Sequence, residues 1–452
     1  MLLKFIVKNL FSFNEQTEFN LFPNKTTRLP HHKINLGGID VLRLSAIYGA
    51  NGSGKSNLIK SVGFLQSIIQ SGLIDNGIEN NKFKLSPNNK NLPIEIGIEF
   101  YCNSKNYYYT IAINNNQIVY EYLAESKKNK DVLIFERKIE NEIQSIKFFD
   151  KYYEVPANKL FASILEKKIL EKNQLLFTFL SKKYEDEFIN VKSAFKWFEN
   201  TLEIIYPETS PKGLVHILDT KKNIEVFANE LIKSFNTGIT KLGIDKKTAD
   251  DVFDKADINE LKTVFLDLKK TKNSYASVKN SITREELFVV DEDEKILTKR
   301  LFTEHTDDEG NPIEFTLPEE SDGTRRLLDY IPAIETLISQ NKVFLIDEIE
   351  RSIHPLTIKK IISKFSLDEQ AKGQLIFTTH ESNLLDQDIL RTDEIWFSQK
   401  TTNGATKLFS LSDYKVHNTI DIENGYLNGR YGGIPFLSNL EDLNWHKYSD
   451  VN

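Results

Sequence analysis

Cysteine is nearly missing from this chain: Cys102 is the only one among 452 residues. A single thiol excludes an intrachain disulfide and a thiolate metal cluster, and it suits a reducing compartment. Long apolar runs are missing as well. The opening "MLLKFIVKNLF" is interrupted by Lys4 and Lys8 and leads into no small-residue cleavage site. Nowhere do roughly 18 apolar residues follow one another, as a membrane span requires. The expectation is a cytoplasmic protein with no membrane partner. A basic excess is also lacking. With 58 Lys and Arg against 65 Asp and Glu, the net charge is −7. That balance argues against wholesale nucleic-acid binding and permits a local basic strip. What remains is ordinary globular composition, 40% hydrophobic and 27% charged, in a chain long enough for one large core or two to three smaller ones.

The first hundred residues read as β-rich around one helix. "LLKFIVKNLFSF" and "TEFNLF" make an expected hairpin, and "VLRLSAIYG" is a buried-strand run ending in glycine. Behind it, "SNLIKSVGFLQSIIQ" places Leu58, Val62, Leu65 and Ile69 on one helical face. From Pro93 the period changes to two. Ile94, Ile96, Ile98 and Phe100 alternate, and "YYYTIAI" and "IVYEYL" flank a polar "NNNQ" turn, which predicts an antiparallel meander. Between about Glu171 and Glu286 the expectation is helix. Phe188, Val191, Phe195, Phe198, Leu202 and Ile205 form an a/d-type seam, and Ile224, Phe227, Leu231 and Phe235 a second stripe, both read as core contacts of a helical lobe. Beyond Leu327 the order helix, strand, helix, strand predicts a parallel sheet with crossover helices. The expected division is an N-terminal lobe over 1–170, a helical insertion over 171–290 and a C-terminal lobe over 291–452.

The chemistry gathers in four short stretches. "GANGSGKS", Gly49 to Ser56, fits G-x-x-x-x-G-K-[ST] between an apolar strand and a helix, the context a phosphate-binding loop requires. Its glycines let successive N–H groups face phosphates, Lys55 would pair with the β- and γ-phosphates, and Ser56 Oγ would hold Mg²⁺. In "KVFLIDEIE" four apolar residues bury a strand, Asp347 emerges at its carboxyl end to hold the Mg²⁺ shell, and Glu348 is placed to polarise an attacking water. "QLIFTTHES" ends a neighbouring strand with His380, within reach of a γ-phosphate. The fourth stretch, "ESDGTRRLLDYI" from Glu320 to Ile331, opens a helix. Ser321 and Gly323 lie at its N-terminus, where free N–H groups and the helix dipole favour an anion. One phosphate loop is already present, so this second anion site is best aimed at the nucleotide of a neighbouring copy.

Gly49–Ser56, Ser321-Asp322-Gly323, Val343–Glu348 and His380 resemble the Walker A, signature, Walker B and switch-histidine motifs of ABC-type ATPases. The nearest branch is that of the SMC, RecF and overcoming-lysogenization-defect (OLD) heads. "SAIYGANGSGKSNLIK", "EESDGTRRLLDYIPAIETL", "DEIERSIHP" and "NGRYGGIPFL" are similar to the bacterial AAA15/AAA21 ATP-binding proteins. The resemblance covers nearly the whole chain and is weak across residues 180–300. It implies an α/β fold: an ABC-type P-loop ATPase head with a mixed β-sheet, an antiparallel meander and an inserted helical lobe. It further implies a slow ATP hydrolase using ATP and Mg²⁺. Nucleotide contacts would come from Gly49, Asn51, Gly52, Ser53, Gly54, Lys55, Ser56 and Asn57, and from Ser321, Gly323 and Ser352 of a second copy. Glu348 and His380 would be catalytic, Ser56 and Asp347 would hold Mg²⁺, and Ser352 and His354 would lie near a dimer interface. Gln174 in "EKNQLLF" is the candidate Q-loop glutamine.

Members of that group serve anti-phage systems such as PARIS, Septu, retron and RloA/RloB-type pairs. The resemblance therefore implies an ATP-sandwich dimer or higher homo-oligomer, responsive to a phage protein or nucleic acid, that controls a separately encoded effector, a nuclease. A DNA-repair or DNA-structure-sensing ATPase like RecF is the alternative. A transporter subunit fits poorly, because its compact helical subdomain and Ser-Gly-Gly-Gln signature are lacking. The stretch after His380 is too short for the Toprim nuclease of OLD-type chains, so no fused nuclease is expected. "RLFTEH", Arg300 to His305, matches the R-x4-H pattern of HEPN ribonucleases, which place it on a helix, whereas here it reads as strand and turn. Lys269–Arg284 carries five basic residues and no acid, a solvated loop or a contact for an acidic partner. "YLNGRYGGIPF", Tyr426 to Phe436, either docks a partner or closes the fold with glycine turns.

Overall fold

The computed structural model describes residues 1–128, 130–209, 214–252, 275–279, 286–292, 295–414 and 421–433. The chain opens with the hairpin β1 (Leu2–Lys8) and β2 (Thr17–Asn20), a short ladder of β3 (Lys33–Asn35) and β4 (Asp40–Leu42), and β5 (Leu44–Gly49), which runs into α1 (Lys55–Ser71). A meander follows: β6 (Ile94–Cys102), β7 (Lys105–Asn114), β8 (Gln117–Glu125), β9 (Val132–Glu140) and β10 (Ile143–Phe148). Helices α2 (Pro156–Ile164), α3 (Leu176–Lys183) and α4 (Ile189–Asn200) then lead to β11 (Leu202–Ile205), α5 (Leu214–Thr220) and α6 (Lys222–Ser234). Next come β12 (Lys241–Thr248), the one-turn α7 (Ala249–Val252), β13 (Tyr275–Lys279), β14 (Glu286–Glu292), β15 (Lys295–Thr306) and β16 (Pro312–Thr316). The last part holds α8 (Asp322–Ser339), β17 (Val343–Ile346), α9 (Pro355–Leu367), β18 (Gln374–Thr378), β19 (Ile395–Lys400), β20 (Thr406–Ser410) and α10 (Ile422–Leu427).

Two large sheets carry the architecture. One is antiparallel, in the order β10-β9-β8-β7-β6-β1-β2; the other runs β11-β17-β18-β5-β19-β20 and is parallel except for β20. The difference is written in the residue pattern. β6 alternates, with Ile94, Ile96, Ile98 and Phe100 buried between the half-exposed Glu95 and Glu99, because one face meets water. In β5, β17 and β18 every residue is buried, since helices or the first sheet cover both faces. Along β17, Val343 and Leu345 join α1 and the antiparallel sheet in one core, while Phe344 and Ile346 join α8 and α9 in a second.

The seam expected between Phe188 and Ile205 breaks at α4. Val191, Phe195 and Phe198 are buried helix residues, whereas Leu202 and Ile205 belong to β11, which pairs in parallel with β17. The helical stretch likewise ends at Ser234. From Lys241 to Thr316 the described chain is mainly strand, because β12 pairs along its whole length with β15 and Leu242 sinks into the core while Lys241 reaches Glu304 at 2.9 Å. Sheet pairing overrides local propensity here. Arg300 and His305 lie on β15, as expected, and five positions along a strand put them on opposite faces. Arg300 meets Asp245, and His305 hydrogen-bonds Glu320 at 2.7 Å. Most of Lys269–Arg284 lies outside the described residues. Among the described residues, no helix is long and apolar enough to cross a membrane.

Gln374, wholly buried at the start of β18, joins the two large sheets. Its amide oxygen accepts the Leu2 N–H at 2.7 Å, and its nitrogen lies 2.9 Å from Leu2 O and 2.7 Å from Leu42 O. On the α4 side Trp197, 1% exposed, stacks on Phe100 at 4.5 Å and meets Phe198 edge-on. Trp197→Ala is expected to cost about 3–5 kcal/mol. A fall in the thermal unfolding midpoint of several degrees relative to the wild-type chain checks it.

Candidate functional site

β5 delivers Gly49 to the middle of the parallel sheet, between β18 and β19. The loop that follows must turn tightly against its neighbours. A Cβ on Gly49 would stand 2.4 Å from Ser398 O, and one on Gly54, at φ +109°, would stand 2.0 Å from Thr406 Oγ1. Only glycine fits at these two positions. The loop is stitched down from behind: Ser53 O accepts from Ser398 Oγ at 3.0 Å and Thr406 Oγ1 at 2.8 Å. Asn57 Nδ2 donates to Ser12 Oγ at 2.8 Å, which fastens the start of α1 to the first hairpin. Asn51 and Gly52, by contrast, are exposed at the loop tip.

Lys55 is 5% exposed and donates to Gly49 O at 2.8 Å and Ala50 O at 3.2 Å. Burial pulls its ammonium down to about 8, against the opposing pull of Glu350, Asp347 and Glu348. Ser56 Oγ donates to Asp347 Oδ1 at 3.0 Å, and Thr378 Oγ1 donates to the same oxygen at 2.6 Å. The phosphate loop and the end of β17 are thus in direct contact across 291 residues of chain. Two hard oxygens from opposite elements suit Mg²⁺, which takes one or two protein oxygens and completes its shell with phosphate and water. Among the described residues no group of three His, Cys, Asp or Glu could hold a metal ion by itself.

Glu348 follows Asp347 with φ +50°, an uncommon conformation for a residue with a side chain. Its N–H donates to Thr378 Oγ1 at 2.8 Å, so one threonine hydroxyl serves both acids. His380 stands at the exit of β18, and its N–H donates to Glu350 Oε1 at 2.6 Å. Its imidazole is held below the ordinary histidine range, by desolvation first and by Lys55 second, with Asp347 opposing. Glu350 is held above the usual carboxylate range by burial.

Ser321 and Gly323 lie elsewhere. Ser321 Oγ caps α8 by accepting the Thr324 N–H at 3.1 Å. A Cβ on Gly323 would come within 2.6 Å of Ser352 O, so the helix start packs directly on the turn after β17. Ser352 itself has φ +63°. Tyr330 Oη donates to Ile349 O at 3.0 Å and binds α8 to the same turn. None of the hydrogen bonds of residues 321–323 reaches Gly49–Ser56. His354 caps α9, accepting the Leu356 N–H at 3.2 Å. Gln174 is far from these groups. Its backbone bridges Leu73, beyond the C-terminus of the 17-residue α1, and at 1.5 Å per residue that is about 25 Å from the loop. A Q-loop role for Gln174 is not consistent with that placement.

Thr378, Glu350, Ser12, Ser398 and Thr406 support the site and were missed in the sequence. Thr378 lies two residues before His380, a signal that was available; Ser12 and Thr406 have none, since only tertiary pairing brings them to the loop. The described part of Tyr426–Phe436 closes on the loop. A Cβ on Gly433 would lie 3.5 Å from Gly49 Cα, and Tyr431 stacks on Phe397 at 5.9 Å. Residues 434–436 lie outside the described residues.

A phosphate loop on a central parallel strand, an acid pair two strands away, an antiparallel second sheet and a capped helix start beside the acid-bearing turn define an ABC-type ATPase head. The chain belongs to the family described as "AAA domain, putative AbiEii toxin, Type IV TA system", whose profile matches residues 44–386. It is similar to the SMC head domain from Thermotoga maritima, at 11% identity and TM-score 0.38 over 90% of this chain and 98% of that one. An Smc head with an extended coiled coil bound to the C-terminal domain of ScpA, derived from Pyrococcus furiosus, matches at 13% identity and TM-score 0.42, over 95% and 98%. An SmcHead bound to the C-winged helix domain of ScpA matches at 13% and 0.43, over 90% and 97%. No curated protein matches the chain significantly.

The low Lys55 value carries a pH dependence. An ammonium attracts phosphate and a neutral amine does not, so nucleotide affinity is expected to fall as pH rises through about 8. The expected loss approaches tenfold per unit above that point. Titration with a fluorescent ATP analogue from pH 7 to 9.5 checks it, and Lys55→Arg, charged throughout, should flatten the profile.

Proposed function

We propose that this chain is an ATP hydrolase that dimerises around two nucleotides and serves as the sensor and scaffold of an anti-phage, abortive-infection system, controlling a separately encoded nuclease. The observation that carries the dimer is the separation of the two anion sites. No hydrogen bond of Ser321–Gly323 reaches Gly49–Ser56, and Gly323 packs on Ser352, so a second copy's nucleotide is what this helix start can cap. In this reading the N–H groups of Gly49–Ser56 cradle the phosphates of ATP. Lys55 leaves the carbonyls of Gly49 and Ala50 for the β- and γ-phosphates, and Ser56 and Asp347 hold Mg²⁺, which supplies charge neutralisation on the phosphates when bound. Glu348 polarises the attacking water, and His380 hydrogen-bonds the γ-phosphate. Turnover is slow, because the useful product is a conformational state. The chain is divided as 1–170, 171–290 and 291–452, with β11 returning to the parallel sheet of the head and only the part of 171–290 beyond it read as an insertion. The defence role is supported by the family and by the resemblance in the motifs.

Glu348→Gln should bind ATP, cut hydrolysis by at least about a hundredfold, and accumulate as a dimer in size exclusion with ATP; wild-type turnover in this variant overturns the catalytic assignment. Mixing Lys55→Ala with Ser321→Arg chains tests the shared site. Each is inactive alone, and the mixture should recover up to about a quarter of wild-type activity, since half of randomly mixed dimers hold one intact site of two. No recovery speaks against a composite site. Co-purification with the products of adjacent genes, and plaque counts on cells expressing the set, test the defence role. A neighbourhood without an effector gene, together with undiminished plaques, sinks it, and DNA-stimulated hydrolysis would favour the DNA-sensing alternative.

A further inference from the structure

We infer that Glu350 is the positioning residue for His380 and couples the placement of that histidine to the turn that carries Ser352. Three successive residues zip the exit of β17 onto β18. Glu348 N–H meets Thr378 Oγ1 at 2.8 Å, Ile349 N–H meets Thr378 O at 3.1 Å, and the Glu350 carboxylate takes the His380 N–H at 2.6 Å. The third link differs in kind, because a side chain acts where the backbone ladder has ended. It holds a main-chain atom of His380, so it sets where the imidazole stands without touching the ring.

The carboxylate is costly where it sits. Burial outweighs the hydrogen bonds that reach its carboxylate from the His380 N–H, its own backbone and the Thr379 hydroxyl, an arrangement that costs free energy unless something offsets it. It is also the acid that acts most strongly on the Lys55 ammonium. Glu350 therefore touches one end of the phosphate machinery by contact and the other by charge. On its far side the same turn is fixed to α8 twice, by Tyr330 Oη on Ile349 O at 3.0 Å and by Gly323 packed on Ser352 O. A load on Ser321–Gly323, such as a neighbour's nucleotide, has a continuous path to His380: Gly323 packs on Ser352 O, the chain runs from Ser352 through Arg351 to Glu350, and the Glu350 carboxylate holds the β18 exit. A glutamine at 350 keeps an acceptor for the His380 N–H; an alanine removes it.

The kinetic consequence rests on the hydrolysis reading above, whereas the contact can be measured without it. In protein labelled with ¹⁵N-histidine, eight amides are expected, and the His380 signal is assigned by its loss in His380→Ala. A short bond to a carboxylate places that amide downfield. Glu350→Ala should move it upfield and Glu350→Gln should leave it near the wild-type position. In ATPase assays at saturating ATP, Glu350→Ala should lower kcat at least about tenfold, about 1.4 kcal/mol of barrier, and Glu350→Gln, which loses the same charge near Lys55 but keeps the acceptor, should recover most of it. Glu350→Ala added to His380→Ala should lower kcat no further, as for two residues acting through one contact. Additive losses, or an unmoved His380 amide in Glu350→Ala, overturn the inference. If hydrolysis by the wild-type chain is not reduced by Lys55→Ala, the ATPase reading fails instead, and the amide shift alone decides whether Glu350 holds His380.

Discussion

A single buried oxygen organises the site. Asp347 Oδ1 accepts hydrogen bonds from Ser56 and Thr378, and through it the phosphate loop, the exit of β17 and the end of β18 are held in one arrangement. Asp347 is 2% exposed, and a carboxylate so buried must find donors or lose its charge. Two hydroxyls supply them, which leaves Lys55 free to cap loop carbonyls. Lys55, Ser56, Asp347 and Thr378 thus form one connected set of hydrogen bonds between the loop and the two strand ends.

Around that oxygen the backbone is bent in ways that side chains ordinarily resist. Glu348 and Ser352 both take positive φ, at about 1–3 kcal/mol each. The bends turn the chain after β17 back toward α8. They also place the acid, the Glu350 link and the Ser352 carbonyl on successive sides of one tight turn. Gly323 is needed at the start of α8 because that turn occupies the space of its missing side chain. The acid pair and the helix start, written separately in the sequence, form one object in the fold.

Much of this was legible in advance, for identifiable reasons. The burial period distinguished the meander from the parallel strands, since Ile94, Ile96 and Ile98 face one core while all of Val343–Ile346 are enclosed. The phosphate loop, Asp347 and His380 could be read because each sits where a strand ends, and strand ends are visible as apolar runs that stop. Leu202 and Ile205 were misread because α4 and β11 are separated by Thr201 alone, so their apolar residues merge into one apparent helical seam. Strand β12 was hidden because its pairing partner β15 lies some sixty residues further along, where no local pattern records it. Ser12, Ser398 and Thr406 are unremarkable polar residues until the fold gathers them behind the loop. Residues that support a site through long-range hydrogen bonds have no signature of their own.

The position of β5 has a consequence for how the molecule comes into being. Its neighbours on both sides, β18 and β19, are made very late: Ser45, in β5, hydrogen-bonds to a carbonyl 349 residues further along the chain. During synthesis the meander and α1 can pack from the N-terminal half alone, through contacts close in sequence. β5 meanwhile waits with both edges of backbone N–H and C=O groups unpaired and a mainly apolar set of side chains. Such an edge is an invitation to wrong pairing. The edges of that strand are closed only once residues beyond Gln374 have been made, so the parallel sheet is completed last.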